Sequence, residues 1–368
     1  MRWRTTGVLI ALIACVAVAS AQTGGDWPTF RGKAQNTGVA HSPLAANLSL
    51  KWTYETGGSV ESTAAIVGDT VYVGTMTGAL HAINLSTGRM RWKFVTGGSA
   101  ISAAPLVQGS TVYVGDEGGT FYAINTADGA LRWKFTTGDK ITSGAIFVAD
   151  SVLFGSYDNH LYRLRAGDGA KLWSFEADAQ VHCTPCEAGG LVMIASCDGL
   201  LRIIDLATGR QLRAATLGGN FACAPAYASG AVYVGGLEGK YYAVRLSDAA
   251  ILWQHEEQSR TSGIYASAAA MGDTVVFASR SNSVFRVNRG TGNVEWSFAT
   301  RSDVDSSPLI NGLHVIFGSS DGNVYRVDLA SGRQVWSFDA GSAISASPAV
   351  GQRRMVIGAA DGAVYCFG

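Results

Sequence analysis

Four cysteines and a histidine, His182, Cys183, Cys186, Cys197 and Cys223, crowd into one stretch of the chain. A Cys-x-x-Cys beside a histidine holds metals or exchanges disulfides, because thiolate and imidazole are good donors and paired thiols are redox-active. Spacing narrows this chemistry. Haem attachment needs a histidine directly after the second cysteine, where this chain has Glu187. A closed zinc site needs four ligands at ~2.0–2.3 Å, and on one extended strand Cys183 and Cys186 point to opposite faces. A thioredoxin-like pair sits at a helix start, and no helical pattern surrounds these residues. Three readings remain: buried small apolar side chains, which the residues favour, a disulfide between Cys183 and Cys197 across the Gly189-Gly190 hairpin, and a metal.

Other reactive patterns are absent. The chain has no Walker loop, no Gly-x-Ser-x-Gly elbow and no His-Glu-x-x-His, and its histidines are scattered. No catalytic residue and no metal site are assigned. Arg163, Arg286 and Arg326 share one repeat position and read as a solvated face. With 28 Lys+Arg against 28 Asp+Glu in 368 residues, nothing supplies the bulk charge of a nucleic-acid binder.

The elements that position these residues are set by a repeat. Trp52, Trp92, Trp133, Trp173, Trp253, Trp296 and Trp336 recur at spacings of 40, 41, 40, 80, 43 and 40, and Arg213 fills the mid-gap. A period near 40 fits four strands of about six residues with short turns, the blade of a propeller. The 46 glycines supply those turns. Asp-Gly pairs at 198, 321 and 361 separate second and third strands, and Gly88, Gly129, Gly169, Gly209, Gly292 and Gly332 stand four residues before the following tryptophan position, with Ala249 departing from that series. Counting strands gives 32, hence an all-β, eight-bladed propeller of four-stranded antiparallel blades. The last blade lacks its fourth strand, and residues 48–54 complete it, closing the ring.

Channel-lining positions follow from the same register. They read Glu61, Ser102, Thr142, His182, Ala222, Tyr265, Asp305 and Ser345 on the innermost strands. Calcium wants six to eight oxygens, and only Glu61 and Asp305 are carboxylates. Glu61, His182, Tyr265 and Asp305 are therefore the channel candidates for a bound group, whose identity the residues leave unknown.

Residues 1–21 read as a signal peptide: two arginines, an apolar run over 8–18 and a small-residue site before Gln22. Eleven apolar residues make ~16 Å of helix, too short to span a bilayer, and no later run is longer. A competing reading makes Leu12, Ile13, Ala14 and Cys15 a lipobox, with Cys15 lipidated, although Val16, Ala17 and Val18 stay apolar where polarity is usual. Either way the mature chain is exported to the periplasm, tethered to the outer membrane under the lipobox reading. Residues 22–47 form a leader and 48–368 the propeller. Within the leader, Asp26 to Gly38 reads as a cap packing Trp27 and Phe30 on one face.

The phrase Ala82-x-Asn84-x-x-x-Gly88-x-x-x-Trp92, repeated from Ala123 to Trp133, resembles the tryptophan-docking motif of quinoprotein-type eight-bladed propellers, a family with a PQQ-like repeat. The physical reason is packing of an indole on a neighbouring blade where glycine uncovers the peptide. Arg213 breaks the belt, so the junction of blades 4 and 5 is expected to be the least regular. Two groups of the family differ in function. Quinoprotein dehydrogenases, as the resemblance implies, bind pyrroloquinoline quinone and calcium over the central funnel, using long insertions and often adjacent cysteines. BamB-like proteins use the ring as a non-enzymatic scaffold. This chain has near-minimal blades and no adjacent cysteines. The expectation is a BamB-like scaffold with protein partners in the envelope, such as the β-barrel assembly machinery, and with no cofactor. The alternatives are a pyrroloquinoline-quinone-dependent dehydrogenase and a module binding glycan or quinone without turnover.

Overall fold

A computed structural model describes residues 25–257 and 263–368. Residues 1–21, read above as a signal peptide, and Cys15 among them lie outside the described residues. Eight sheets surround a central channel. Blades 1 to 7 span residues 65–95, 106–136, 146–176, 186–216, 226–256, 269–299 and 309–339, each a meander from a three-residue innermost strand to a six-residue outermost one. Blade 8 takes three strands from residues 349–367 and its outermost strand from Leu50–Glu55, which pairs antiparallel with Ala363–Phe367 in the register Trp52↔Cys366 and Tyr54↔Val364. Joining the two chain ends in one sheet removes the open edges that a linear array would leave.

The second and third strands are buried on both faces, as in Thr111–Gly115 and Thr120–Asn125, so they read as near-continuous apolar runs. Outermost strands alternate instead, as in Leu131–Thr136, because only one face meets the next blade. In the Asp-Gly turns only the glycine takes positive φ, for example +80° at Gly199, while Asp198 Oδ1 accepts from the Leu200 N–H at 3.1 Å. The aspartate thus caps the turn rather than sharing its left-handed geometry.

Neighbouring blades are joined at their outer halves by tryptophan. Trp52 Nε1 donates to Leu85 O at 2.7 Å, Trp92 to Thr126 O at 2.8 Å and Trp133 to Ala166 O at 3.0 Å. Trp173, Trp253, Trp296 and Trp336 make the same bond to Leu206, Arg289, Leu329 and Leu48. A Cβ built on Gly88, Gly129, Gly169, Gly209, Gly292 or Gly332 would lie 2.6 to 2.8 Å from the indole of the preceding blade. The glycine before each tryptophan therefore serves the previous blade's indole. The third-strand arginines also cross junctions, contrary to a solvated reading: Arg163 Nη1 donates to Leu206 O at 2.7 Å, Arg286 Nη1 to Leu329 O at 3.0 Å and Arg326 Nη1 to Ala45 O at 2.9 Å. Where such a bond is available, the aliphatic stem packs and the guanidinium tip finds a carbonyl partner away from bulk water.

Candidate functional site

Channel-facing groups are held by the short segment before each innermost strand, not by the strand itself. Glu61, Ser102, Thr142, His182, Ala222, Tyr265 and Asp305 line one cavity of about 160 Å³. The expected innermost strands start only at Ala65, Leu106 and their equivalents. The chain needs the preceding residues to cross from the outermost strand of one blade to the axis. Two residues further on, Thr63, Ala104, Gly144, Thr184, Ala224, Ser267, Ser307 and Ser347 form a deeper tier of small side chains in the same cavity, as period-two alternation requires.

A second ring at the mouth escaped the sequence reading. The turn between second and third strands hydrogen-bonds back to the crossing segment: Glu117 N to Ala100 O, Tyr157 N to Lys140 O, Cys197 N to Gln180 O and Arg280 N to Gly263 O. This fixes residues 15 positions after the first ring beside it. Ser102 Oγ donates to Glu117 Oε1 at 2.7 Å, and the Arg280 guanidinium lies 3.7 Å over the Tyr265 ring. Arg280 also holds both oxygens of Asp305, at 2.8 Å each. Lys140 sits 4.2 Å over Tyr157, whose ring is 5.4 Å from that of His182. The constant offset of 15 was the signal available in the sequence.

Charge at the mouth is uneven. Partial burial, with Glu117 and Asp305 nearby, raises the Glu61 carboxyl above its ordinary value. Burial lowers the His182 imidazole, against the favourable bond from Nε2 to Phe221 O at 2.9 Å. That carbonyl also faces the thiols of Cys183 at 3.7 Å and Cys197 at 3.8 Å. Cys183, Cys186, Cys197, Cys223 and Cys366 are all free thiols in this structure. Cys183 lies in the crossing segment and Cys186 opens the strand Cys186–Ala188, so the two do not share one strand. Among the described residues no three of His, Cys, Asp and Glu converge as a metal site would require.

The cavity is a cup, because the leader closes its far end. Backbone groups of residues 25–38 meet the inner edge of seven blades in turn, and the Thr29 hydroxyl serves blade 3. Gln352 N donates to Gly25 O, Ile66 and Trp27 exchange two bonds, and Val107 N donates to Pro28 O at 2.7 Å. Thr29 Oγ1 donates to Ala145 O at 2.8 Å. Glu187 N, Tyr227 N, Ala270 N and Ile310 N then donate to Ala34 O, Gln35 O, Thr37 O and Gly38 O at 2.8 to 2.9 Å. Val39–Ala40 finally adds a parallel fifth strand to blade 7. Inner strand edges carry unpaired backbone groups at the channel, and this single circuit pairs at least one of them at each blade.

Two side chains lock the circuit. The Arg31 guanidinium is fully buried and donates to Ser307 O at 3.2 Å, Ala268 O at 2.9 Å and Pro308 O. Burial lowers its pKa to about 9, so the cation is held by carbonyl dipoles at a desolvation cost. Asn36 Nδ2 donates to Pro185 O at 3.0 Å and Pro225 O at 3.1 Å, tying blade 4 to blade 5. Trp27 and Phe30 do not share a face: Trp27 is buried against Gly32 and blade 1, whereas Phe30 reaches into the cup as its floor.

Solved structures repeat the ring. BamB from Moraxella catarrhalis superposes with a TM-score of 0.75 at 18% identity, over 87% of this chain and 97% of that one. The quinohemoprotein alcohol dehydrogenase from Comamonas testosteroni gives 0.80 at 13% identity, over 95% and 81%. At these identities the likeness is one of fold. Among curated proteins, a polyvinylalcohol dehydrogenase from Pseudomonas sp is 34% identical over 61 residues, which is 17% of this chain and a tenth of that protein's length. The profile of the family described as outer membrane protein assembly factor BamB matches residues 39–143, 127–265 and 247–367, a span that includes every blade, and the chain belongs to that family.

Proposed function

We propose that this chain is an exported, non-enzymatic binding scaffold of the cell envelope, acting with the machinery that assembles β-barrel proteins in the outer membrane. The observation that carries the reading is on its rim. Each outermost strand carries an apolar residue exposed to solvent at its first or second position: Leu50, Met90, Leu131, Leu172, Leu212, Ile251, Val294 and Val335, between 40 and 53% exposed. Each of these strands is paired on one side only. An exposed apolar side chain beside an open strand edge suits an extended partner segment that adds to the sheet. The family membership supports the same reading.

The cup suits a quinone cofactor poorly. Its volume of about 160 Å³ is below the ~300–1,000 Å³ of typical organic-ligand sites. Both Asp305 oxygens are committed to Arg280. We therefore derive no redox step, and assign no cofactor to the scaffold.

The test is an affinity pull-down of the tagged full chain from its own envelope fraction, beside a Leu172→Asp/Leu212→Asp variant, with pyrroloquinoline quinone and calcium titrated in parallel. Co-purification of a β-barrel assembly protein, lost in the variant, is expected. Saturable quinone binding with no stable partner would overturn the scaffold reading.

A further inference from the structure

A second cavity, of about 740 Å³, opens between blades 5 and 6 on the face opposite the cup mouth. Its walls are the hairpin turn at Ser229 and Gly230 and the turns between third and fourth strands that carry Leu246 and Arg289. Leu191, Tyr227, Leu246 and Leu252 give it an apolar side, and Leu252 is 43% exposed. The volume is that of a site for a mid-sized organic molecule.

Arg289 is out of place in the repeat. The same position is Leu85, Leu206, Leu246 and Leu329 in four other blades, and each of those side chains is buried. The backbone of Arg289 still accepts the Trp253 indole at 2.8 Å, so blade 6 keeps its junction and changes only the side chain. The resulting guanidinium is only partly used, by the Tyr233 side chain in the same cavity and by Asp273. Its Nε is buried without a hydrogen-bond partner, and Nη2 is 3.5 Å from Asp273 Oδ1, on a side chain that is itself 90% exposed. A guanidinium has five donors in a fixed fork matched to carboxylate or phosphate. The cavity's other guanidinium, Arg245, is already paired with Asp248 at 2.8 Å.

We propose that this cavity binds an amphiphilic anion, with a carboxylate or phosphate head on Arg289 and an alkyl tail against Leu246, Leu252 and Tyr227. Neither half suffices alone. The head is desolvated beside an apolar wall, which strengthens the charge-assisted bonds, and the tail buries surface that the repeat leaves open. The same chemistry is presented by a free fatty amphiphile and by an anionic lipid at a membrane surface.

Calorimetric titration of the full chain with decyl phosphate below its micelle concentration, and separately with decanol and inorganic phosphate, tests this. Co-sedimentation with phosphatidylcholine vesicles, with and without phosphatidylglycerol, forms the second arm. Decyl phosphate is expected to bind at least tenfold more tightly than either half-molecule. Arg289→Leu installs the residue four other blades carry, so it keeps the fold and is expected to weaken binding at least tenfold. Leu252→Ser removes an exposed wall and is expected to weaken it several-fold with an unchanged melting curve. Binding confined to phosphatidylglycerol vesicles, and lost in Arg289→Leu, supports the lipid as source. Wild-type and Arg289→Leu chains that behave alike in both arms, whether by equal binding or by none, overturn the proposal.

Discussion

Arg213 and Ala249 fall on one junction, between blades 4 and 5, at the two positions that at six other junctions hold the paired tryptophan and glycine. Ala249 keeps the glycine's geometry, with φ +61° and the same turn bond from its N–H to Arg245 O at 2.9 Å. Six other junctions have an indole lying where a Cβ would fall 2.6 to 2.8 Å away. The two departures are therefore coupled: without the indole, the methyl group is tolerated.

That coupling is measurable. Arg213→Trp alone is expected to gain nothing, because the Ala249 methyl occupies the ring's place. Ala249→Gly alone relieves an unfavourable left-handed alanine, worth about 1 kcal/mol. The double variant is expected to exceed the sum of the two by about 1 kcal/mol, the scale of a well-packed aromatic contact. Urea unfolding of the four chains gives the number, and simple additivity would mean that the indole docks elsewhere.

The leader offers a second cycle. A Cβ on Gly38, which has φ +63°, would lie 1.8 Å from Arg31 Nη2, and that guanidinium is fixed by three carbonyls. Gly38→Ala is expected to cost about 3–5 kcal/mol, since it strains the backbone and breaks the buried cation's bonds. In an Arg31→Met background the steric part vanishes, and the cost should fall to about 1–2 kcal/mol. Equal costs in both backgrounds, read by thermal unfolding, would place the damage outside the Arg31 cage.

The ring was readable because its signals are local and repeated. Each blade restates the tryptophan spacing, and Trp52 and Tyr54 restate the outermost-strand pattern that closes blade 8. The channel ring came from the same register, and Glu61, His182, Tyr265 and Asp305 do share one cavity. What stayed hidden depends on contacts between segments far apart in sequence. Nothing in the 25–38 stretch repeats, so its circuit could not be inferred, and nothing local marks Arg31 and Asn36 as buried beside polar neighbours such as Asp26, Lys33 and Gln35. Glu117, Tyr157 and Arg280 sit in variable turns, and only the backbone bond to the crossing segment brings them to the mouth.

Burial orders the thiols by reactivity. Cys183, Cys186 and Cys223 are buried and Cys197 is half-buried. Burial pushes the Cys223 thiol up to about 12, and raises Cys183 and Cys197, the latter with help from Asp198. Since thiolate is the reacting form, maleimide at pH 7.5 is expected to label Cys197 slowly and the other three only in denaturant. Peptide mapping without reductant of exported protein supplies the companion measurement: a Cys183–Cys197 crosslink there would show that export chemistry pairs two thiols that both face Phe221 O.

His81 makes the closing seam sensitive to acid. It is 2% exposed, its Nδ1 lies 3.0 Å from Tyr54 Oη on the strand that completes blade 8, and its Nε2 is buried without a partner. Burial, then the neighbouring Lys93 charge, lowers its pKa to about 4 from an ordinary 6.5. The folded chain therefore binds fewer protons at this site than the unfolded chain between those values. Its contribution is intact above pH 6.5 and is lost as pH falls toward 4, by up to about 3 kcal/mol. His81→Phe removes the titration while filling the space. Its urea-unfolding free energy is expected to fall less steeply than wild type between pH 6.5 and 4, and parallel profiles would show that His81 takes up its proton without loosening the seam.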